Sequence, residues 1–227
     1  MRPPRSESGV SRRDLMRLRV GRRSGAFPPP DSKVVGVSSP PGSFASRDRG
    51  DLIRAKRPGM GSFFEVCLGT SVPGAVELAD RALNVIDLLE VQLSIYRDDS
   101  EVSRLNATAH EAPVATEAKL FDLLVRAVEI SQATGGAYDV TSGALSNAWG
   151  FVRGPRRVPD AETLADARSR TGWRHLILDA KSRTVAFDRP GVSINLGSIG
   201  KGYAIDRAVS VIQGYWWPTS ALVHGGQ

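Results

Sequence analysis

The 227-residue sequence predicts an α+β fold, and three observations lead to that prediction. Segments with the three- and four-residue apolar spacing of amphipathic helices interleave with short aromatic or β-branched runs that are typical of strands. This interleaving follows no strict βαβ period and contains no internal repeat. Hydrophobic residues make up 41% of the chain, which is enough to build a core.

The first predicted elements are a strand and a long helix. Residues 61–70 contain an aromatic and β-branched run that predicts the strand. Pro73 stands where the first turn of a helix tolerates proline, and apolar residues then recur at helical spacing. The predicted apolar stripe of this helix consists of Val76, Ala79, Leu83, Ile86, Leu89 and Leu93.

A polar segment and a second helix follow. Residues 97–111 are rich in charged and small polar side chains, which predicts a loop. Thr116 is the predicted N-cap of the second helix, and Gly135-Gly136 form its end, because glycine readily adopts the left-handed conformation that closes a helix. After Tyr138 the glycine-rich sequence predicts a further loop.

The C-terminal part of the chain predicts a hairpin between two helices. Pro159-Asp160 open a weaker helix that reaches about residue 170. Residues 175–179 and 183–188 predict the two strands of the hairpin, because a short polar turn separates two β-branched runs.

A strand, a glycine-rich turn and a helix complete the prediction. Residues 192–195 predict the strand and residues 197–202 the turn, and residues 221–223 suggest a last strand. The predicted apolar positions of the helix are Ile199, Tyr203, Val209, Val211 and Ile212.

Charge divides the chain into two regions. Residues 1–57 carry 14 basic and 5 acidic side chains, a formal charge of +9, whereas residues 58–227 carry 16 and 19, a formal charge of −3. Because the first region is rich in Arg, Ser, Pro and Gly and has no sustained apolar period, we predict a disordered basic leader over 1–57 and a folded domain over 58–227. The leader lacks interleaved aromatic residues, which disfavours a nucleic-acid partner.

Several functional classes are disfavoured by composition. The single cysteine, Cys67, rules out an intrachain disulfide and Cys-rich zinc sites. His110, His175 and His224 have no spacing typical of a zinc hydrolase. No apolar run reaches the roughly 18 residues of a transmembrane helix. Residues 11–15 resemble the start of a twin-arginine export signal, but arginines follow where such a signal needs an apolar stretch, so no complete signal peptide is seen.

The most informative segment for function is residues 195–203, NLGSIGKGY. Its glycine turn leads into a helix whose first N–H groups, together with Lys201, suit a phosphate or pyrophosphate. The spacing matches neither a Walker A loop nor a Rossmann fingerprint. A tight connection between strand and helix, with no ligand, explains the same residues.

Two further polar clusters are candidates for a binding site. The first covers residues 96–106, and a solvated connector is its simpler explanation. The second covers residues 135–151, where small residues beside Tyr138 and Asp139 would let a planar ligand approach while the carboxylate accepts its N–H groups. A helix end followed by a turn also accounts for the second cluster.

Taken in order, four segments resemble the ApbE family of FAD:protein FMN transferases. They are residues 60–63 (MGSF), 93–106 (LSIYRDDSEVSRLN), 135–151 (GGAYDVTSGALSNAWGF) and 194–208 (INLGSIGKGYAIDRA). The resemblance covers about residues 58–227. It implies an ApbE-like (T-fold-like) mixed sheet with packed helices.

The resemblance also implies an activity and a set of binding residues. Such an enzyme binds FAD, cleaves its pyrophosphate with Mg²⁺, and esterifies the FMN phosphate to a Thr or Ser of an acceptor flavoprotein, with release of AMP. No side chain is assigned as a catalytic nucleophile. Ser198 corresponds to a metal ligand through its backbone oxygen, and the implied FAD contacts are Met60, Tyr96, Ala137, Tyr138, Asp139, Asn195 and Lys201.

The resemblance implies more chain than is present. After residues 221–227 the family continues into further strands and an Asp-and-Thr metal motif, so we expect the domain to be incomplete at its C-terminus. The alternative function is a catalytically inactive FAD-binding remnant of the same fold. Family membership would be compatible with a periplasmic or membrane-associated location.

Overall fold

The computed structural model describes residues 52–215 and 221–225. In chain order its elements are β1 (Leu52–Gly59), β2 (Ser62–Gly69), α1 (Ala75–Leu93), α2 (Glu101–Thr108), β3 (Val114–Ala115), α3 (Ala118–Ala133), α4 (Gly143–Ala148), α5 (Ala161–Ser169), a 3₁₀ turn (Trp173–His175), β4 (Leu176–Asp179), β5 (Thr184–Phe187), α6 (Gly200–Tyr215) and β6 (Ala221–Gly225). This mixture of helices and antiparallel strands confirms the α+β prediction. None of the described helices combines the length and the apolarity needed to cross a bilayer.

The first sheet has the strand order β1-β2-β6, and both of its pairs are antiparallel. Met60 and Gly61 form the two-residue turn between β1 and β2, and both have positive φ, as a type I′ hairpin turn requires. Phe64, Val66 and Leu68 alternate along β2 and are at most 1% exposed. They form the core face of the sheet, against which α1 packs.

The second sheet has the order β3-β5-β4. Its β4–β5 pair is the hairpin that the sequence predicts, with Leu176 opposite Phe187. The short strand β3, which sequence patterns did not reveal, adds two residues to the edge beside β5.

Helix α6 packs along α1 through small residues. Its buried stripe repeats every four residues as Gly200, Ala204, Ala208 and Ile212. Of the five predicted apolar positions only Ile212 is buried, and the other four are half-buried. The small residues face the partner helix because they let two helices pack closely. On α1 the predicted stripe is correct except for Val76, which is 60% exposed.

The structure corrects the predicted boundary of the leader. Residues 52–57, predicted as disordered, form most of β1, because each of them pairs with a residue of β2. Inward-facing Ile53 and Ala55 pack against the core. The rest of the predicted leader lies outside the described residues.

Four local predictions are also corrected. The predicted polar loop contains helix α2, and Glu117 rather than Thr116 caps α3 by accepting hydrogen bonds from the N–H groups of Lys119 and Leu120. The predicted loop after Tyr138 contains the short helix α4. Residues 192–195, predicted as a strand, belong to no strand of the described part of the chain, and Ser193 forms an isolated bridge with Ser142.

Candidate functional site

The extended segment that precedes α6 is held by a side chain from α2. Asn106 donates from Nδ2 to the carbonyl oxygen of Ile194 over 3.0 Å and accepts from the Ile194 N–H at Oδ1 over 2.7 Å. These two bonds satisfy the Ile194 backbone as a neighbouring strand would. On the other side, the N–H of Asn195 donates to the Val140 carbonyl over 2.8 Å. Asn106 thus fixes the path of this segment, a role that its place in a polar cluster did not reveal.

Asn195 closes the glycine-rich turn. Its Oδ1 accepts a hydrogen bond from the Gly197 N–H over 2.9 Å, and its Nδ2 donates to Ser146 Oγ over 3.4 Å. The side chain therefore connects the turn to α4. The second lone pair of Oδ1 and the second N–H of the amide remain for a ligand.

Lys201 lies in the first turn of α6 and is half-buried. Within the described part of the chain its ammonium group forms no salt bridge. In α6 the Gly200 N–H already donates to the Leu196 carbonyl and the Tyr203 N–H to the Ile199 carbonyl, and the helix dipole adds a partial positive charge at this end. Two sources of positive potential therefore coincide at the start of α6, as the sequence predicts for an anion site.

Asp139 is committed to a network within the protein. Its Oδ1 accepts from the N–H and the hydroxyl of Thr141, over 2.8 and 2.6 Å, and its Oδ2 accepts from the Trp173 N–H over 2.8 Å. Thr141, which is fully buried, accepts in turn from the Gly172 N–H over 2.7 Å. The carboxylate therefore ties residues 139–141 to residues 172–173, and its Oδ2 keeps one lone pair for a ligand N–H.

Tyr138 carries a buried hydroxyl that has no hydrogen-bond partner among the described residues. Burial raises the pKa of Tyr138, the Ser198 hydroxyl acts to lower it, and the Asp139 carboxylate raises it further. Ser198 is thus close enough to influence the phenol without satisfying it. This proximity brings the segment after α3 next to the turn before α6. A buried, unpaired donor at such a junction is available to a ligand.

The helix end that precedes Tyr138 has the geometry that the sequence predicts. The Gly136 N–H bonds the Ser131 carbonyl, and the Gly135 N–H bonds the Gln132 carbonyl, which is the Schellman pattern. Both glycines have positive φ. Ala137 follows them and is exposed, so its backbone lies open beside Tyr138.

Tyr96 and Met60 lie on other segments of the chain. Tyr96 is 64% exposed, and its loop is joined to residues 149–157 through Arg153. Met60 sits in the β1–β2 turn and packs against the core. A depression of about 470 Å³ beside that turn contains none of the other predicted site residues; it is lined by Pro58, Gly59, Gly61, Ser62, Phe63 and Glu90. The structure therefore brings Tyr138, Asn195 and Ser198 together, and among the described residues no hydrogen bond joins Met60 to them.

His175, His224 and Cys67 make contacts within the fold. His175 pairs with Asp188 at 3.1 Å, and His224 on β6 pairs with Glu65 on β2 at 2.8 Å. Cys67 is buried, and burial, with the nearby Glu65 carboxylate, raises the pKa of its thiol. A raised thiol pKa disfavours a nucleophilic role.

Comparison with known proteins identifies the family. The family model described as the ApbE family matches residues 60–227. The chain belongs to the ApbE family. It is similar to the FAD:protein FMN transferase of Vibrio cholerae, with 32% identity over 170 residues that cover 72% of this chain and 49% of that protein. The protein of the same name from Klebsiella pneumoniae is 31% identical over 68% of this chain and 45% of its own length.

Solved ApbE structures share the fold. The ApbE protein of Thermotoga maritima matches with a TM-score of 0.72 and 26% identity, over 77% of this chain and 57% of that chain. The flavin transferase ApbE of Vibrio cholerae matches with a TM-score of 0.70 and 29% identity, over 76% and 56%. The chain spans about half the length of the curated relatives that it matches.

Proposed function

We propose that this protein is an FAD:protein FMN transferase. In this reaction a Thr or Ser hydroxyl of an acceptor flavoprotein forms a phosphoester bond with the FMN phosphate of FAD. The pyrophosphate link breaks, AMP leaves, and the hydroxyl proton is released. The observation that carries the proposal is the ApbE match over residues 60–227, together with relatives that bear this name over two thirds of the chain.

The site residues support nucleotide binding by three kinds of contact. Lys201 and the N-terminus of α6 provide positive potential for the pyrophosphate of FAD. Positive potential stabilises the negative charge that develops on phosphate oxygens during phosphoryl transfer. The unpaired Tyr138 hydroxyl offers a donor, and Asp139 Oδ2 keeps an acceptor position for an amino group. The exposed Tyr96 ring offers a face on which a planar ring can stack.

The described residues do not provide the set of ligands that a Mg²⁺ site needs. Mg²⁺ prefers oxygen ligands in octahedral geometry, usually including carboxylates. Among residues 52–215 and 221–225 no group of three or more His, Cys, Asp or Glu side chains is arranged to hold a metal ion. Ser198 offers only one predicted ligand, and the Asp139 carboxylate already accepts three hydrogen bonds.

The test combines FAD binding with product release. FAD is titrated into the protein while flavin fluorescence is followed, and AMP is then measured with and without Mg²⁺ in the presence of an acceptor flavoprotein domain. An acceptor domain with its flavinylation Thr replaced by Ala is the matched control. Covalent flavin on the intact acceptor together with AMP supports the transferase.

The same experiment separates the alternative functions. FAD binding without AMP would identify a catalytically inactive FAD-binding protein of the same fold, a reading that the lack of a described carboxylate cluster favours. Absence of FAD binding would reject both functions.

A further inference from the structure

Residues 149–157 form a compact loop that follows α4, here called the Arg153 loop. The Arg157 N–H donates to the Trp149 carbonyl over 3.2 Å, so the two ends of the loop meet. Gly150 has a φ of +70°, and a Cβ there would lie 2.2 Å from the Pro155 carbonyl oxygen. The rings of Trp149 and Phe151 stack with centroids 6.2 Å apart. These contacts give the loop a defined shape, although most of it is exposed.

Arg153 lies at the middle of this loop and reaches a distant segment. Its guanidinium lies 2.5 Å from Asp98 Oδ1, and the same nitrogen makes a longer contact of 3.5 Å with the Tyr96 carbonyl oxygen. Fifty-five residues separate Arg153 from Asp98.

The segment that Arg153 contacts, residues 94–100, is otherwise bonded only locally. The Tyr96 N–H donates to Ser94 Oγ, the Ser100 hydroxyl donates to the Ser94 carbonyl, and Arg97 pairs with Asp99. Within the described part of the chain, the remaining hydrogen bonds of this segment stay between residues 90 and 104. Arg153 is therefore its polar tether to a remote element.

The base of the Arg153 loop contacts the other half of the candidate site. The Phe151 N–H donates to the Ser146 carbonyl, and Ser146 Oγ accepts from Asn195 at the glycine-rich turn. The loop thus links the turn that leads to Lys201 with the segment that carries Tyr96. A single short element spans the two regions in which FAD contacts are predicted.

We propose that Arg153 is a positioning residue, which holds the Tyr96 segment in register with the turn before α6 by pairing with Asp98. This inference rests on the proposed function, because it assigns the Tyr96 segment to the nucleotide site. The side chains of Arg153 and Asp98 are 60% and 87% exposed, and exposed ion pairs are individually weak. The pair therefore breaks readily, and while it is formed it biases the segment towards the position seen in the structure.

The test uses a charge swap in the intact chain. Arg153→Ala, Asp98→Ala, Arg153→Lys and the double variant R153D with D98R are compared with the wild type. Arg126→Ala is the matched control, because the Arg126 side chain is exposed to nearly the same extent as that of Arg153 and pairs with Glu129 on α3. Two readouts are taken: amide hydrogen exchange of residues 94–100 without ligand, and the rate of FAD dissociation.

We expect Arg153→Ala and Asp98→Ala to speed exchange in residues 94–100 and to raise the FAD dissociation rate about two- to fivefold, the range set by an exposed ion pair. Arg153→Lys and the charge swap should restore both values towards wild type. If residues 94–100 exchange equally fast in Arg153→Ala and Arg126→Ala, the positioning role is overturned, whatever the FAD dissociation rate.

The two proposals can fail separately. Faster exchange in Arg153→Ala combined with no FAD binding by the wild type would reject the proposed function and leave the tether in place. Faster exchange with an unchanged FAD dissociation rate would show that the tether has no effect on the nucleotide and would overturn the inference.

Discussion

At the scale of single residues, two neighbouring polar groups of the candidate site differ in whether the protein satisfies their hydrogen bonds. Asp139 accepts three hydrogen bonds from the protein, whereas the Tyr138 hydroxyl is buried without a partner. A satisfied carboxylate organises the loops around it, while an unpaired buried hydroxyl lowers stability until something bonds it. The two neighbours therefore have different roles, which their adjacency in the sequence does not reveal.

Tyr138→Phe should separate folding from binding. Because the variant removes an unpaired buried hydroxyl, we expect the free energy of unfolding to rise by about 1 kcal/mol at pH 7. FAD affinity should fall because a donor is lost. Urea denaturation and FAD titration measure the two effects, and a drop in stability would show that the hydroxyl is already bonded inside the protein.

The raised pKa of Tyr138 also predicts a pH dependence. Burial raises this pKa above its ordinary value of 10.0, so at high pH the unfolded chain loses the phenol proton before the folded protein does. Below pH 10 the phenol is protonated in both states, so its ionisation does not affect the free energy of unfolding. Above pH 10 the free energy of unfolding declines, because the unfolded chain ionises first. We expect Tyr138→Phe to lose less stability than wild type between pH 9 and about 11; parallel urea curves would contradict this.

Lys201→Ala tests the anion site. Loss of a charge-assisted contact with the pyrophosphate should weaken FAD binding by about 1.5 kcal/mol, or about tenfold. Lys181→Ala is the control, because Lys181 lies in the β4–β5 turn. FAD titration measures both variants, and an unchanged dissociation constant for Lys201→Ala would remove this residue from the site.

At the scale of elements, capping side chains decide where helices begin. Helix α2 is only eight residues long and polar, and it starts where Ser100 accepts from the Ser103 N–H over 2.9 Å. Ser100 also donates to the Ser94 carbonyl and is 1% exposed. The buried side of α2 consists of Val102 and Leu105. Two apolar residues are too few to establish a helical period from sequence.

Ser100→Ala should therefore destabilise the domain. The variant loses a cap and a buried hydrogen bond, and we expect a cost of about 1–2 kcal/mol in the free energy of unfolding. Ser210→Ala removes an exposed hydroxyl that bonds Asp206 within α6 and serves as the control. Urea denaturation measures both, and equal small changes would show that Ser100 is not a cap.

At the scale of the whole molecule, the first sheet depends on β1. Strand β1 pairs along all eight of its residues with β2, and Arg57 on β1 reaches α1, where it pairs with Asp80 and Asp87. We predicted that residues 52–57 belong to the leader because a composition rich in Arg, Ser and Gly extends up to this strand. Pairing with a neighbouring strand decided the assignment, and such pairing is invisible to composition.

Two N-terminal deletions test the corrected boundary. A chain that begins at Pro58 loses six residues of β1, so we expect it to unfold at a much lower urea concentration than a chain that begins at Arg47. The lost strand uncovers core residues and leaves the β2 edge unpaired. Equal urea midpoints for the two chains would restore the predicted boundary.

The sequence by itself determined the features that depend on neighbouring residues. The long helix α1, the Schellman end at Gly135-Gly136 and the β4–β5 hairpin follow from periodicity and turn chemistry over short stretches. The order of the four ApbE-like segments indicated the family before any fold was known. It also identified Tyr138, Asn195, Ser198 and Lys201 as candidates.

Only the tertiary structure decided how these residues relate to one another. Asn106 holds Ile194 from 88 residues away, and Asp139 bonds Trp173 across 34 residues. The buried face of α6 consists of small residues because its partner is another helix, which the apolar pattern of α6 alone does not specify. Each of these contacts depends on which elements meet in the folded chain, and that is set by packing of the whole core.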